Sequence, residues 1–149
     1  MSRVNFGAKP IMFPQPVLII GTYDENGVPN AMNAAWGITT DFGEITISLS
    51  DHKTTDNLAA RKAFTVSFAT EEQVVPSDYV GIESGKKVPD KFAKAGFHAT
   101  KSEFVDALLI DELPVAMECR VKSFENGLLV GEIVNISADE SVVTEGKVE

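Results

Sequence analysis

The sequence predicts a mostly β protein: an antiparallel barrel with Greek-key-like connections and short inserted helices. Three observations carry this. At least six segments read as strands, turn chemistry joins most of them, and the helical segments are short insertions rather than regular alternates with strands. The 149 residues fit one domain, and 44% hydrophobic against 23% charged residues are enough to close a core.

The first strand runs from Pro16 to Tyr23 around the apolar run Val17-Leu18-Ile19-Ile20, and Asp24-Glu25-Asn26-Gly27 ends it as a turn cluster. The second, Val28 to about Trp36, reads VPNAMNAAW, with small and amide side chains where a core strand carries Val and Ile. Small residues let another group approach the backbone, so this strand suggests a ligand surface. The third, Glu44 to Ser50, alternates Ile45, Ile47 and Leu49 inward with Thr46, Ser48 and Ser50 on the other face. A short helix follows to about Arg61, with Thr54 or Thr55 as its N-cap and Asp56 in its first turn. Phe64, Val66 and Phe68 alternate in a fourth strand.

Glu71 to Gly81 reads as a helix interrupted by Pro76, and Gly81 to Val88 as a polar loop. Pro89 opens another short helix that Gly96 closes. Val115–Phe124 and Leu128–Ser137 form a hairpin about Asn126-Gly127, the favoured pair for a type I′ turn. Val115, Met117, Cys119 and Val121 share the apolar face of that strand, so the single cysteine reads as a buried structural thiol.

Thirteen basic residues against 22 acidic ones give a net charge of -9, which repels nucleic-acid backbones. One cysteine excludes an intrachain disulfide. Pro14 and Pro16 break the apolar stretch from Ile11 to Ile20, which lacks a cleavage pattern, and no run approaches a membrane span, so the expected location is the cytoplasm. GIESGKK is one residue short of a Walker loop, lacks the hydroxyl residue after the lysine, and follows no strand. G-x-G-x-x-G and G-x-S-x-G are absent, and His52, His98 and Cys119 are too few and too scattered for a metal site.

One constellation remains. Asn30, Asn33 and Trp36 lie on the small-residue strand; Ser48 and Ser50 lie on the polar face of the third. Directly after it come His52, Lys53, Thr54, Thr55 and the first amides of a helix, with Lys91 as a second cation. Hydroxyls, a cation and unpaired N–H groups are what a phosphate monoester requires. On residue chemistry alone, a core tryptophan beside an ordinary helix cap stands level with a site for an aromatic ligand bearing a phosphate tail.

Taken in order, these segments resemble the flavin reductase-like family of FMN-binding split barrels, in particular its flavoredoxin-type members. PVLIIGTYDENGVPNAMNAAW resembles the family's opening strand, turn and G-x-P-N…W signature; ITISLS with KTTDNL resembles its next segment. Gly81, Ser84, Gly85 and Asp90-Lys91-Phe92 are similar to G-x-x-S-G-x-x-x-D-K-F, and LPVAMECRV and LLVGEIV to the closing hairpin. The ordered matches span about Pro16 to Val134.

The resemblance implies a split barrel holding FMN noncovalently, with NAD(P)H as electron donor. Asn30 and Trp36 match positions beside the isoalloxazine, the backbone of Asn33, Ala34 and Ala35 the strand along it, and Ser48, Leu49 and Ser50 the facing strand. Lys53, Thr54, Thr55 and Lys91 match the phosphate end. It further implies a homodimer with flavin near the interface. The alternatives are an electron carrier serving a redox partner protein, or a split barrel that has lost flavin. Two departures stand out. Asn126 occupies a position where members often carry histidine, and the sequence ends at Glu149 where members continue. The expectation is thus a single domain over 1–149, a fragment or shorter variant of the family form.

Overall fold

The computed structural model describes residues 1–148. Its strands and helices are β1 (Leu18–Tyr23), β2 (Pro29–Ala34), β3 (Gly37–Asp41), β4 (Glu44–Ser48), α1 (Lys53–Arg61), β5 (Ala63–Phe68), α2 (Val74–Ile82), α3 (Lys91–Lys94), β6 (Ala99–Lys101), β7 (Leu108–Ile110), β8 (Val115–Glu125), β9 (Leu128–Ala138), β10 (Val143–Thr144) and β11 (Lys147–Val148). Seven strands make one antiparallel sheet in the order β2-β1-β5-β8-β9-β4-β3. The sheet curls into a split barrel whose two edge strands, β2 and β3, are consecutive in the chain. β4 and β5, also consecutive, are separated in the sheet by the β8–β9 hairpin.

The barrel interior gathers Leu18, Ile20, Ile45, Ile47, Phe64 and Leu129. A second cluster (Ile19, Val80, Phe92, Leu108 and Ile110) lies on the other side of β1, under α2, α3 and β7. Burial on both faces explains why β1 reads as a continuous apolar run. Asn126 and Gly127 have φ of +52° and +76°, as a type I′ turn requires. Cys119 is fully buried, and burial pushes its thiol up to about 12, so it is a structural residue.

The structure corrects five local expectations. The second strand stops at Ala34 instead of Trp36, and the chain bends and starts β3 at Gly37. β3 is an exposed edge strand without inward alternation, so no period of two marks it. The N-cap of α1 is His52, which places Thr54 and Thr55 inside the first turn. Pro76 does not interrupt α2: it lies in the first turn, where a missing N–H costs nothing. α3 begins at Lys91, two residues after Pro89. Finally, Ala116 and Glu118, on the expected outer face of β8, are buried; the Glu118 carboxylate accepts from Ser102 Oγ and Asn135 Nδ2.

Candidate functional site

The polar residues converge where β2, α1, α2 and the 83–88 loop meet. Asn30 is buried on β2, and its amide nitrogen donates to Thr54 Oγ1 at 3.0 Å, joining the strand to the first turn of α1. Asn33, on the same strand, donates to the carbonyl of Ser77 at 3.1 Å and ties β2 to α2. The 81–85 segment crosses both amides at close range. A Cβ on Gly81 would collide with the Asn33 amide, and one on Gly85 would come within 2.6 Å of Asn30 Oδ1 and 3.1 Å of Lys53. Gly81 lies in the last turn of α2, not in the loop expected from Gly81 to Val88, and glycine there and at Gly85 lets the helix end and the loop close over the amides.

A small cavity of about 30 Å³ lies there, lined by Asn30, His52, Lys53, Thr54, Gly85 and Lys91 among others. It shares Asn30, Lys53 and Gly85 with an outer cavity of about 370 Å³. Lys53 and Thr54 hold the first two positions of α1, where backbone N–H groups have no partner within the helix. The Lys53 ammonium stands 4.0 Å from Asp24 Oδ2. Amides, a hydroxyl and a cation thus meet at one opening, a donor set matched to an anion.

Two of the expected phosphate-end residues also bond within the protein. The Thr55 hydroxyl accepts from His52 N–H at 3.1 Å and donates to the His52 carbonyl at 2.7 Å, so it closes its own turn. Lys91 Nζ donates to the carbonyls of Val80 and Glu83 at 2.7 and 2.9 Å, at the C-terminal end of α2. Burial lowers its pKa to about 8, partly offset by the Glu83 charge.

The remaining site residues lie apart from the cavity. Ala34 packs against the barrel core, Ala35 is half-buried, and Trp36 is 57% exposed. The tryptophan therefore is not a core residue. Ser48 N–H donates to the Trp36 carbonyl at 2.8 Å, which sets the end of β4 beside the bend after β2. Leu49 is buried and donates its N–H to the Gly127 carbonyl at 2.8 Å, while Ser48 and Ser50 face solvent. Asn126, in the same turn as Gly127, is thereby placed near the end of β4. The sequence reading missed Gly81 and Gly85 as site formers, although their spacing was the available signal.

A family model described as "Flavin reductase like domain" matches residues 11–146. Among solved structures, the chain is similar to flavoredoxin of Desulfovibrio vulgaris (Miyazaki F), at 33% identity and a TM-score of 0.93 over 99% of this chain and 82% of that one. Flavoredoxin from Methanosarcina acetivorans gives 24% identity and a TM-score of 0.89 over 100% and 82%. An FMN-binding domain of a flavin reductases-like enzyme from Shewanella baltica gives 20% identity and 0.82 over 91% and 74%. The latter two likenesses speak to the fold.

Proposed function

This chain belongs to the flavin reductase-like family, and from that premise we propose that it holds FMN noncovalently and uses it for NAD(P)H-dependent reduction of flavin or of another acceptor. The observation that carries the reading is the donor set at the start of α1, opening into a cavity beside a strand of small and amide residues. When bound, FMN supplies the redox chemistry, accepting hydride and passing electrons on.

The chain's own residues bind, orient and shield. Lys53, Thr54 and the first amides of α1 hold the phosphate, with Asn30 fixing the Thr54 hydroxyl through its 3.0 Å hydrogen bond. Thr55 and Lys91 act one step back. Thr55 closes the turn that aims the amides, and Lys91 fastens the end of α2 from which the 83–88 loop departs. Asn33, Ala34 and Ala35 lie along the ring system, exposed Trp36 meets its edge or face, and Ser48, Leu49 and Ser50 form the facing rim. This scheme needs no acid–base residue, consistent with a site rich in donors and without a triad.

A second reading, a flavoredoxin-like electron carrier serving a redox partner protein, draws on the 33% identity to flavoredoxin. The absorbance spectrum of the purified protein tests the shared part. Rapid bleaching by NADH or NADPH then marks the reductase, and stable colour that bleaches only with a protein donor marks the carrier.

The same reading places the protein in the cytoplasm as a homodimer. Met12, Phe13, Ile38 and Phe68 are exposed, and Met12, Ile38 and Phe68 line an apolar depression of about 360 Å³, the kind of contiguous patch that marks an interface. Light scattering at micromolar concentration should give twice the 16.1 kDa chain mass. A monomer retaining FMN would refute the dimer.

A further inference from the structure

The outer cavity carries a charge pattern opposed to what a second phosphate needs. It opens from the phosphate end through Asn30, Lys53 and Gly85, and its wall holds Asp24, Glu25 and Asp56 against Lys53 and Lys86. Three carboxylates against two ammonium groups leave the wall net negative. Lys53 faces Asp24, and Lys86 lies 3.5 Å from Asp56 and 3.2 Å from Asp51 outside the wall. At about 370 Å³ the cavity falls within the size of small-ligand pockets (~300–1,000 Å³), so space alone does not bar a ligand from it.

We propose that this acid-lined cavity is a mononucleotide filter: Asp24 and Asp56 admit a flavin ending in one phosphate and repel one that continues into a pyrophosphate and a second nucleoside. The inference rests on the FMN reading above and names what would make that site select FMN over FAD. The protein's overall acidity cannot make this selection, because both ligands carry about two negative charges. Selection must come from where the second phosphate lies, and carboxylates lining the cavity act there through charge repulsion that salt weakens.

Asp24→Asn is a clean substitution. Asp24 Oδ1 accepts from Asn26 N–H and Val28 N–H, both at 2.8 Å, and an asparagine Oδ1 retains both bonds while losing the charge that faces Lys53. Asp56 is half-exposed, so Asp56→Asn perturbs little packing.

The experiment titrates flavin-free protein with FMN and with FAD by flavin fluorescence, for wild type and Asp24→Asn/Asp56→Asn, at low and high salt. FAD is a phosphodiester at its first phosphate and would bind more weakly for that reason alone, so the decisive quantity is the change in the FMN/FAD ratio. The expected result is wild-type preference for FMN of about a hundredfold or more, reduced at least about tenfold in the double variant, with FMN affinity unchanged or tighter. The preference should also fall more steeply with salt in wild type than in the double variant, which a purely steric exclusion would not produce. A ratio that the substitutions leave unaltered overturns the filter while leaving FMN binding standing. Failure of wild type to bind either flavin overturns the FMN reading, and the filter with it.

Discussion

The barrel interior and the cleft at the start of α1 are built from the same curled sheet, yet they use its strands in opposite ways. β1, β4 and β5 turn branched and aromatic side chains inward, so that Ile20, Ile47, Phe64 and Val66 are fully buried. β2 carries amides and small residues, and its amides reach across to helices instead of filling a core. A strand that buries branched and aromatic side chains stabilises the fold; β2 adds only Met32 to the interior and Ala31 to the second cluster, and its amides and small residues leave room for a ligand. The difference separates stability from binding, and substitutions in each region should show it.

Phe64→Ala should have the largest effect. Phe64 is fully buried in the interior, so truncation should cost about 3–5 kcal/mol in denaturant unfolding, with flavin affinity of the folded fraction unchanged. A large loss of affinity at small cost in stability would break the division. Lys53→Ala should do the reverse: FMN binding weakens roughly ten- to hundredfold, riboflavin binding holds, and stability changes little, because the ion pair with Asp24 is long and partly exposed. Equal losses for FMN and riboflavin would move Lys53 away from the phosphate.

Lys91 lies between the two regions. Its pKa of about 8 in the folded protein is below the ordinary 10.5, so between those values the unfolded chain binds more protons than the folded one. Its contribution to stability must therefore rise as pH climbs from about 8 to 10.5. Subtracting the pH–stability profile of Lys91→Met from that of wild type should leave this rise, cancelling the opposite trend from the raised thiol of Cys119. A flat difference would contradict it. Trp36→Phe should have the smallest effect: no measurable change in stability, since the indole is 57% exposed, and a loss of about 0.5–1.5 kcal/mol in flavin binding by fluorescence titration. A lower melting temperature with unchanged binding would return Trp36 to the fold.

The sequence was most legible where one interaction dominated a segment. Alternation at Ile45, Ile47 and Leu49, the apolar run of β1 and the Asn126-Gly127 turn each reflect a local rule that the tertiary structure obeys. β3 escaped because an exposed edge strand has no buried face to set a period. Glu118 escaped because its partners, Ser102 and Asn135, come from other strands and loops. The site was legible as a deviation, in the small and amide residues of β2 and the donors after β4. What could not be read was which other groups the donors meet. Thr55 and Lys91 have the right chemistry for a phosphate, and the fold also gives them carbonyl partners, at His52 in the same turn and at Val80 and Glu83 at the end of α2.

The central claim is that the polar end of the split barrel holds FMN, and titrating flavin-free protein with FMN tests it most directly. Trp36 is the single tryptophan and stands exposed at the end of the strand assigned to the flavin, so its emission reports on that place alone. The expected result is a fall in Trp36 emission that saturates at one FMN per subunit. Unchanged emission together with no retained flavin would contradict the claim.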